Sequence, residues 1–202
     1  MNEIKPIETY YNGYRFRSRL EARWAVFFDY AKIPYQYEPE GFNLGPLGYY
    51  LPDFYLPWFD AFVEIKPTYS NQIKSAVEKL ETLFEQTTHT VLLCIGDPAD
   101  NDIRIYCNDL TDGSGGGPNE WPACFLESPG NSCWCTTKHT ILLAIGYKND
   151  RDRNFYNAEW GEIKSSCRLI DVKYFRNDFS HAKTLSRQAR FEYGETPKGG
   201  NE

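Results

Sequence analysis

The chain has 202 residues and carries 22 Lys and Arg against 28 Asp and Glu, a net charge of −6, with 41% hydrophobic and 16% aromatic residues. This composition is ordinary for a globular chain and excludes disorder throughout, collagen-like repeats and low-complexity classes, while the acidic balance argues against a polycation that coats nucleic acid. No uncharged apolar run approaches the roughly 20 residues that span a membrane, so no membrane partner is expected.

The opening stretch MNEIKPIETYYNGYRFRSR lacks the apolar core of a secretory signal, which points to the cytoplasm, where disulfides are disfavoured. The first element is a helix beginning near Arg17, with Leu20, Trp24, Phe27 and Ala31 on one apolar stripe and Pro34 ending it. Tyr35 to Glu38 reads as a short strand and Gly41 to Gly48 as a loop. Tyr49 to Leu56 and Asp60 to Lys66 read as two arms of a hairpin around Pro57. Ser70 to Gln86 returns to helical period through Ile73, Val77, Leu80 and Phe84. Thr90 to Ile95 is a continuous apolar run, the pattern of a strand buried on both faces, and Ile103 to Cys107 is a further strand.

DLTDGSGGGPNEWP reads as a flexible boundary; no Gly-Lys-Ser/Thr follows, so it is not a phosphate loop. ACFLES, CWCTTKH and TILLAIGY suggest two or three further strands. Asn177 to Glu192 closes the chain as a helix, capped by Asn177 or Asp178, with Phe179, Ala182, Ser186 and Ala189 as its packing face. The layout is α/β with a central mixed sheet, divided as a core at 1–107, a β-rich extension at 108–176 and a C-terminal helix and tail at 177–202.

Charge is uneven along the chain. Residues 1–35 carry six Lys and Arg against four acids, residues 36–147 five against fifteen, and residues 148–190 ten against six. The acidic middle is either a solvated surface or the seat of a divalent cation. Its informative part is Pro52-Asp53-Phe54 followed by Val63-Glu64-Ile65-Lys66. Strand alternation puts Glu64 and Lys66 on one face, roughly 6.5–7 Å apart, with Val63 and Ile65 toward the core. If Asp53 lies opposite Glu64, the midpoint falls between Trp58 and Phe59, where the turn belongs. Two carboxylates and one amine then meet at one point. Paired ionised carboxylates repel and are costly to desolvate. A hard cation such as Mg²⁺ relieves both, and Lys66 beside it can act on a water or stabilise developing charge. Any single pair of these residues reads as a wet strand face and a turn-flanking acid; the three together, in matching register, read as a site.

Pro52-Asp53, ten intervening residues and Glu64-Ile65-Lys66 resemble the signature of the PD-(D/E)XK nuclease superfamily. Tyr11 to Lys66, in the order FRSRLEARWA, YEPEGF, YLPDF and VEIK, resembles a phage and bacterial nuclease-like group. The resemblance covers residues 10–96, with a weaker part at RFEYGE (190–195), and leaves 108–170 unmatched. It implies a restriction-endonuclease-like αβββαβ core and metal-dependent hydrolysis of DNA, as an endonuclease in a bacterial or phage-infected cell. Asp53 and Glu64 would hold Mg²⁺ or Mn²⁺, with the Ile65 carbonyl as a further ligand. Lys66 would manage the attacking water, and Glu21 matches the acid that completes the site from the first helix. Glu21 equally fits a capping box with Ser18, in which it only satisfies the helix start. The competing function is a nuclease fold that binds nucleic acid or protein without cutting.

Arg15, Arg17, Arg19 and Arg23 around the first helix, and Lys183, Arg187 and Arg190 at helical spacing on the last, are either phosphate contacts for DNA or solvated faces. Cys124, Cys133, Cys135 and His139 are the candidate set for a structural Zn²⁺, against a reading as idle or buried thiols. Paired cuts on duplex DNA would imply a homodimer.

Overall fold

In a computed structural model the described residues are 6–68, 71–87, 89–100, 102–107, 119–127, 141–145 and 179–191. The chain opens with a hairpin of β1 (Thr9–Tyr11) and β2 (Tyr14–Phe16). Its turn residues Asn12 and Gly13 have φ of 46° and 84°. Positive φ at both positions is what a two-residue primed turn requires, and Asn-Gly meets it with least strain.

Helix α1 (Arg19–Tyr30) starts later than the expected Arg17, because Ser18 is extended and its hydroxyl accepts the Glu21 N–H at 3.2 Å. It also stops short of Pro34: Lys32 sits at φ 59°, in the left-handed region that ends a helix. Ala22, Trp24, Ala25, Val26, Phe27 and Phe28 are buried along it. The Trp24 indole N–H finds an acceptor in the Gly96 carbonyl at 3.0 Å, as a buried tryptophan must.

The central mixed sheet has a five-strand body of β3 (Gln36–Tyr37), β6 (Phe54–Leu56), β7 (Ala61–Lys66), β8 (Thr90–Ile95) and β9 (Asp102–Cys107). Among the described strands only β7 and β8 run parallel, joined by the crossover helix α2 (Asn71–Thr87). Beyond β9 the sheet continues antiparallel into β10 (Asn119–Glu127) and β11 (Ile141–Ile145). The last four residues of the expected glycine-rich boundary are therefore strand. The described part of the 108–176 segment adds to the same sheet. Pro122 fits there because pairing with β11 begins one residue later, at Ala123.

The expected arm from Tyr49 to Leu56 is two pieces. Strand β5 (Tyr49–Tyr50) pairs with β4 (Phe42–Asn43) in a separate two-stranded sheet, within the stretch expected to be only loop. A 3₁₀ turn at Gly45–Leu47 joins them. Pro52 breaks the arm, since it has no N–H for a continuing ladder.

Both sheet faces are covered. On one, α1 packs against Phe54, Leu56, Ala61, Val63, Ile65, Leu92 and Cys94, joined by Phe179 and Ala182. On the other, Leu80, Leu83 and Phe84 of α2 meet Phe62, Val91, Leu93 and Ile95. The alternation along β7 sends Val63 and Ile65 to the α1 side and Phe62 to the α2 side.

Helix α3 (Ser180–Gln188) is shorter than expected, and Phe179 caps it without a side-chain hydrogen bond. The proposed caps Asn177 and Asp178 lie outside the described residues. Phe179, Ala182, Ser186 and Ala189 are buried, and Phe179 meets Phe27 edge-on at 5.7 Å. Among the described residues no helix is long and apolar enough to cross a membrane.

Phe54 is fully buried and stacks with Phe16, Phe28, Tyr35 and Tyr37 at 5.4–6.0 Å between ring centres. Phe54→Ala is expected to lower stability by about 3–5 kcal/mol. Urea titration checks this; a loss under about 1 kcal/mol would mean that Phe54 does not hold β6 to α1.

Candidate active site at the β6–β7 register

Phe54 pairs with Val63, Tyr55 with Phe62 and Leu56 with Ala61. One step further along this register, Asp53 faces Glu64. The Asp53 carbonyl accepts the Glu38 N–H at 2.9 Å, and its carboxylate Oδ2 accepts the Ile65 N–H at 2.7 Å. Asp53 is thus tied to both neighbouring strands just where β6 begins.

Glu64 is only 6% exposed. Its Oε1 is ion-paired with the Lys66 ammonium and its Oε2 accepts the Tyr50 hydroxyl at 2.6 Å. A buried carboxylate needs such partners on both oxygens. Tyr50, reached through the β4–β5 hairpin, is the site residue that the sequence reading misses. Its partner is fourteen positions away, across the break at Pro52, and no motif spacing marks it.

Glu21 is buried at 8% exposure, three residues after the Ser18 cap. Its Oε1 accepts the Ser18 hydroxyl at 2.6 Å, while Oε2 accepts the Arg17 N–H at 3.1 Å and the Tyr37 hydroxyl at 2.7 Å. The Ser18 half of the expected capping box is therefore formed, while the Glu21 carboxylate returns to the Arg17 N–H and the Ser18 hydroxyl instead of the Ser18 N–H. Glu21 is also close enough to the sheet to repel Asp53 and attract Lys66.

These charges act on one another. Burial pushes the Asp53 carboxyl well above the usual range, repulsion from Glu64 and Glu21 adds to it, and the Ile65 N–H and Lys66 oppose it. Burial alone would lower the Lys66 ammonium. Its pairing with Glu64, aided by Asp53 and Glu21, outweighs that and holds it above the ordinary lysine value. Tyr50 is raised well above a free phenol, first by burial and then by Glu64, so it stays a neutral donor.

This donor set fits a hard divalent cation. Mg²⁺ is commonly held by one or two carboxylates with several waters, and Asp53 and Glu64 are crowded carboxylates lacking enough positive charge. Among the described residues no three His, Cys, Asp or Glu are gathered as a metal-holding group. The pair would hold the ion, with the Ile65 carbonyl alongside, while the oxygens of Glu21 already serve three donors.

The arginines are mostly paired. Arg15 is ion-paired with Glu8, Arg17 with Glu38 at 2.6 Å and Arg23 with Asp97 at 3.6 Å. Arg187 lies 3.6 Å from Asp97 and 3.2 Å from Asp100. Arg19 opens α1, and Lys183 lies on α3. Arg190 is not on a shared helical stripe with them, because Ala189 leaves helical geometry at ψ 118°. Cys124 lies on β10; Cys133, Cys135 and His139 lie outside the described residues. No protein-family model matches the chain, and no curated protein matches it.

The raised Asp53 carboxyl has a sign in stability. Because the folded state holds this proton more tightly than the unfolded state, stability falls as pH rises from the ordinary carboxylate range through the raised value. Asp53→Asn removes the titration and keeps an acceptor for the Ile65 N–H. In EDTA, its melting temperature should match wild type near about pH 4, the ordinary Asp range, and exceed it increasingly toward alkaline pH. Equal melting temperatures across that range would show that Asp53 is not strained by its neighbours.

Proposed function

We propose that the chain is a divalent-metal-dependent phosphodiester hydrolase acting on DNA, an endonuclease on a restriction-endonuclease-like core. The observation that carries this reading is the convergence on one strand end of Asp53, tied to the Ile65 N–H at 2.7 Å, and Glu64, ion-paired with Lys66. The resemblance of the PD…EIK spacing to nucleases supports it. The mixed sheet, helix-covered on both faces, is compatible with that core. The same reading makes the protein cytoplasmic.

When bound, Mg²⁺ or Mn²⁺ would polarise a phosphate oxygen and lower the pKa of a ligated water. Asp53 and Glu64 would hold that cation, and the Ile65 N–H fixes the Asp53 carboxylate. Lys66 enters as an ammonium, since Glu64 and Asp53 hold its proton on. Its role is thus to stabilise negative charge growing on the phosphoryl oxygens and to orient the attacking water. In the hydrolysis, water adds to phosphorus as one P–O ester bond breaks. Glu21 keeps the helix start beside this point and adds negative potential that favours a cation.

The test is incubation with plasmid, linear, single-stranded and branched DNA in Mg²⁺, Mn²⁺ or EDTA. Cleavage in metal should vanish in EDTA, and Lys66→Ala should lower the rate by about 10²–10³-fold, the usual worth of one donor placed at developing negative charge. Retention of DNA without cleavage under any metal would replace this reading with that of a silent nuclease-fold binder.

A further inference from the structure

The β4–β5 hairpin stands apart from the main sheet, yet one of its side chains reaches the acidic cluster. Tyr50 is 6% exposed and packs in the α2-side core, while its neighbour Tyr49 is 76% exposed. Adjacent strand residues point to opposite faces, so the hairpin turns a single phenol inward. Three features fix where it sits. Tyr50 pairs across the hairpin with Phe42, whose ring meets Phe62 edge-on at 5.1 Å. The Lys79 ammonium of α2 lies 5.8 Å from the Tyr50 ring centre. At Gly41 a Cβ would come within 2.8 Å of the Tyr49 ring, so the glycine gives that outward ring room to lie against the start of the hairpin.

The Glu64 carboxylate can rotate about its last side-chain bond, and a ligand oxygen left free to rotate binds a cation poorly. We propose that Tyr50 is a positioning residue, whose hydroxyl anchors Oε2 of Glu64 and so aims Oε1 at Lys66 and at the divalent cation. This rests on the hydrolase reading of the Asp53–Glu64 pair. Partners that orient a metal ligand without touching the metal typically change affinity or activity by about 10–100-fold when removed. A phenol that merely satisfied a buried carboxylate would affect stability and leave metal affinity alone.

The experiment is calorimetric titration of Mn²⁺ into the full chain, beside a DNA cleavage assay across Mg²⁺ concentrations. Tyr50→Phe should weaken Mn²⁺ binding by about 10–100-fold, and its cleavage should recover as Mg²⁺ is raised. Tyr55→Phe, which loses a hydroxyl bonded to Asp60 at 2.8 Å, should bind Mn²⁺ as wild type does. Tyr50→Phe within twofold of wild type overturns the proposal alone. The double variant Tyr50→Phe/Glu64→Gln, which removes the carboxylate left unsatisfied in the single one, should match Glu64→Gln. A further tenfold loss would show that Tyr50 does not act through Glu64, and overturn it likewise. A wild type that binds Mn²⁺ but cuts no DNA overturns the hydrolase reading alone, and one that binds no Mn²⁺ overturns both.

Discussion

Burying the Glu64 carboxylate is the constraint around which this end of the molecule is arranged. An ionised carboxylate removed from water is strongly unfavourable unless its oxygens find donors. β7 supplies one donor two residues on, the Lys66 ammonium, and a separate hairpin supplies the other, the Tyr50 hydroxyl. Asp53 and Glu21 then crowd further negative charge against a spot that is already costly. Amides or apolar groups of similar size at these positions would relieve that cost. Acids crowded together here, with both sheet faces otherwise filled by Phe, Leu and Val, are the physical reason to look for chemistry at this spot.

The surrounding structure holds that end rigid. The parallel pairing of β7 and β8 carries the strand end to Gly96, whose N–H bonds the Lys66 carbonyl at 2.8 Å. The Gly96 carbonyl takes the Trp24 indole, so α1 is fastened to the same point. Gly96 has φ 78°, and a Cβ there would come within 2.6 Å of Asp100 Oδ2, so the turn demands glycine. Next to it, Asp97 accepts Arg23 from α1 and Arg187 from α3. Two helices are thus clamped beside the carboxylates. These two arginines, expected either as phosphate contacts or as solvated faces, are ion-paired within the fold.

What was legible in the sequence is what depends on local period or on chain counting. Alternation in Val63-Glu64-Ile65-Lys66 announces which side chains share a face, and the short turn at Pro57 leaves little freedom in the register, so numbering alone brings Asp53 opposite Glu64. The apolar run Thr90–Ile95 announces a strand covered on both sides. The Asn12-Gly13 turn was equally legible from its dipeptide and flanking tyrosines, yet the helix signal beginning at Arg17 overshadows it. Tyr50 and the β4–β5 pairing were not legible. They depend on where Pro52 interrupts the chain and on a contact between distant residues, and neither leaves a periodic trace.

Glu21 shows why the two readings of a single acid need not compete. As the third helical residue it returns hydrogen bonds to Ser18 and to the Arg17 N–H, which fixes the start of α1. That start lies against the sheet, so the same carboxylate contributes negative potential at Asp53. Its two oxygens accept three donors, two of them on Oε2, and so leave about one of the roughly four lone-pair sites of a carboxylate, on Oε1 beside the Ser18 hydroxyl. Under the proposed function, Glu21 would add to the attraction for a cation at Asp53 and Glu64 by its charge, with its bonds at the helix start keeping that charge in place.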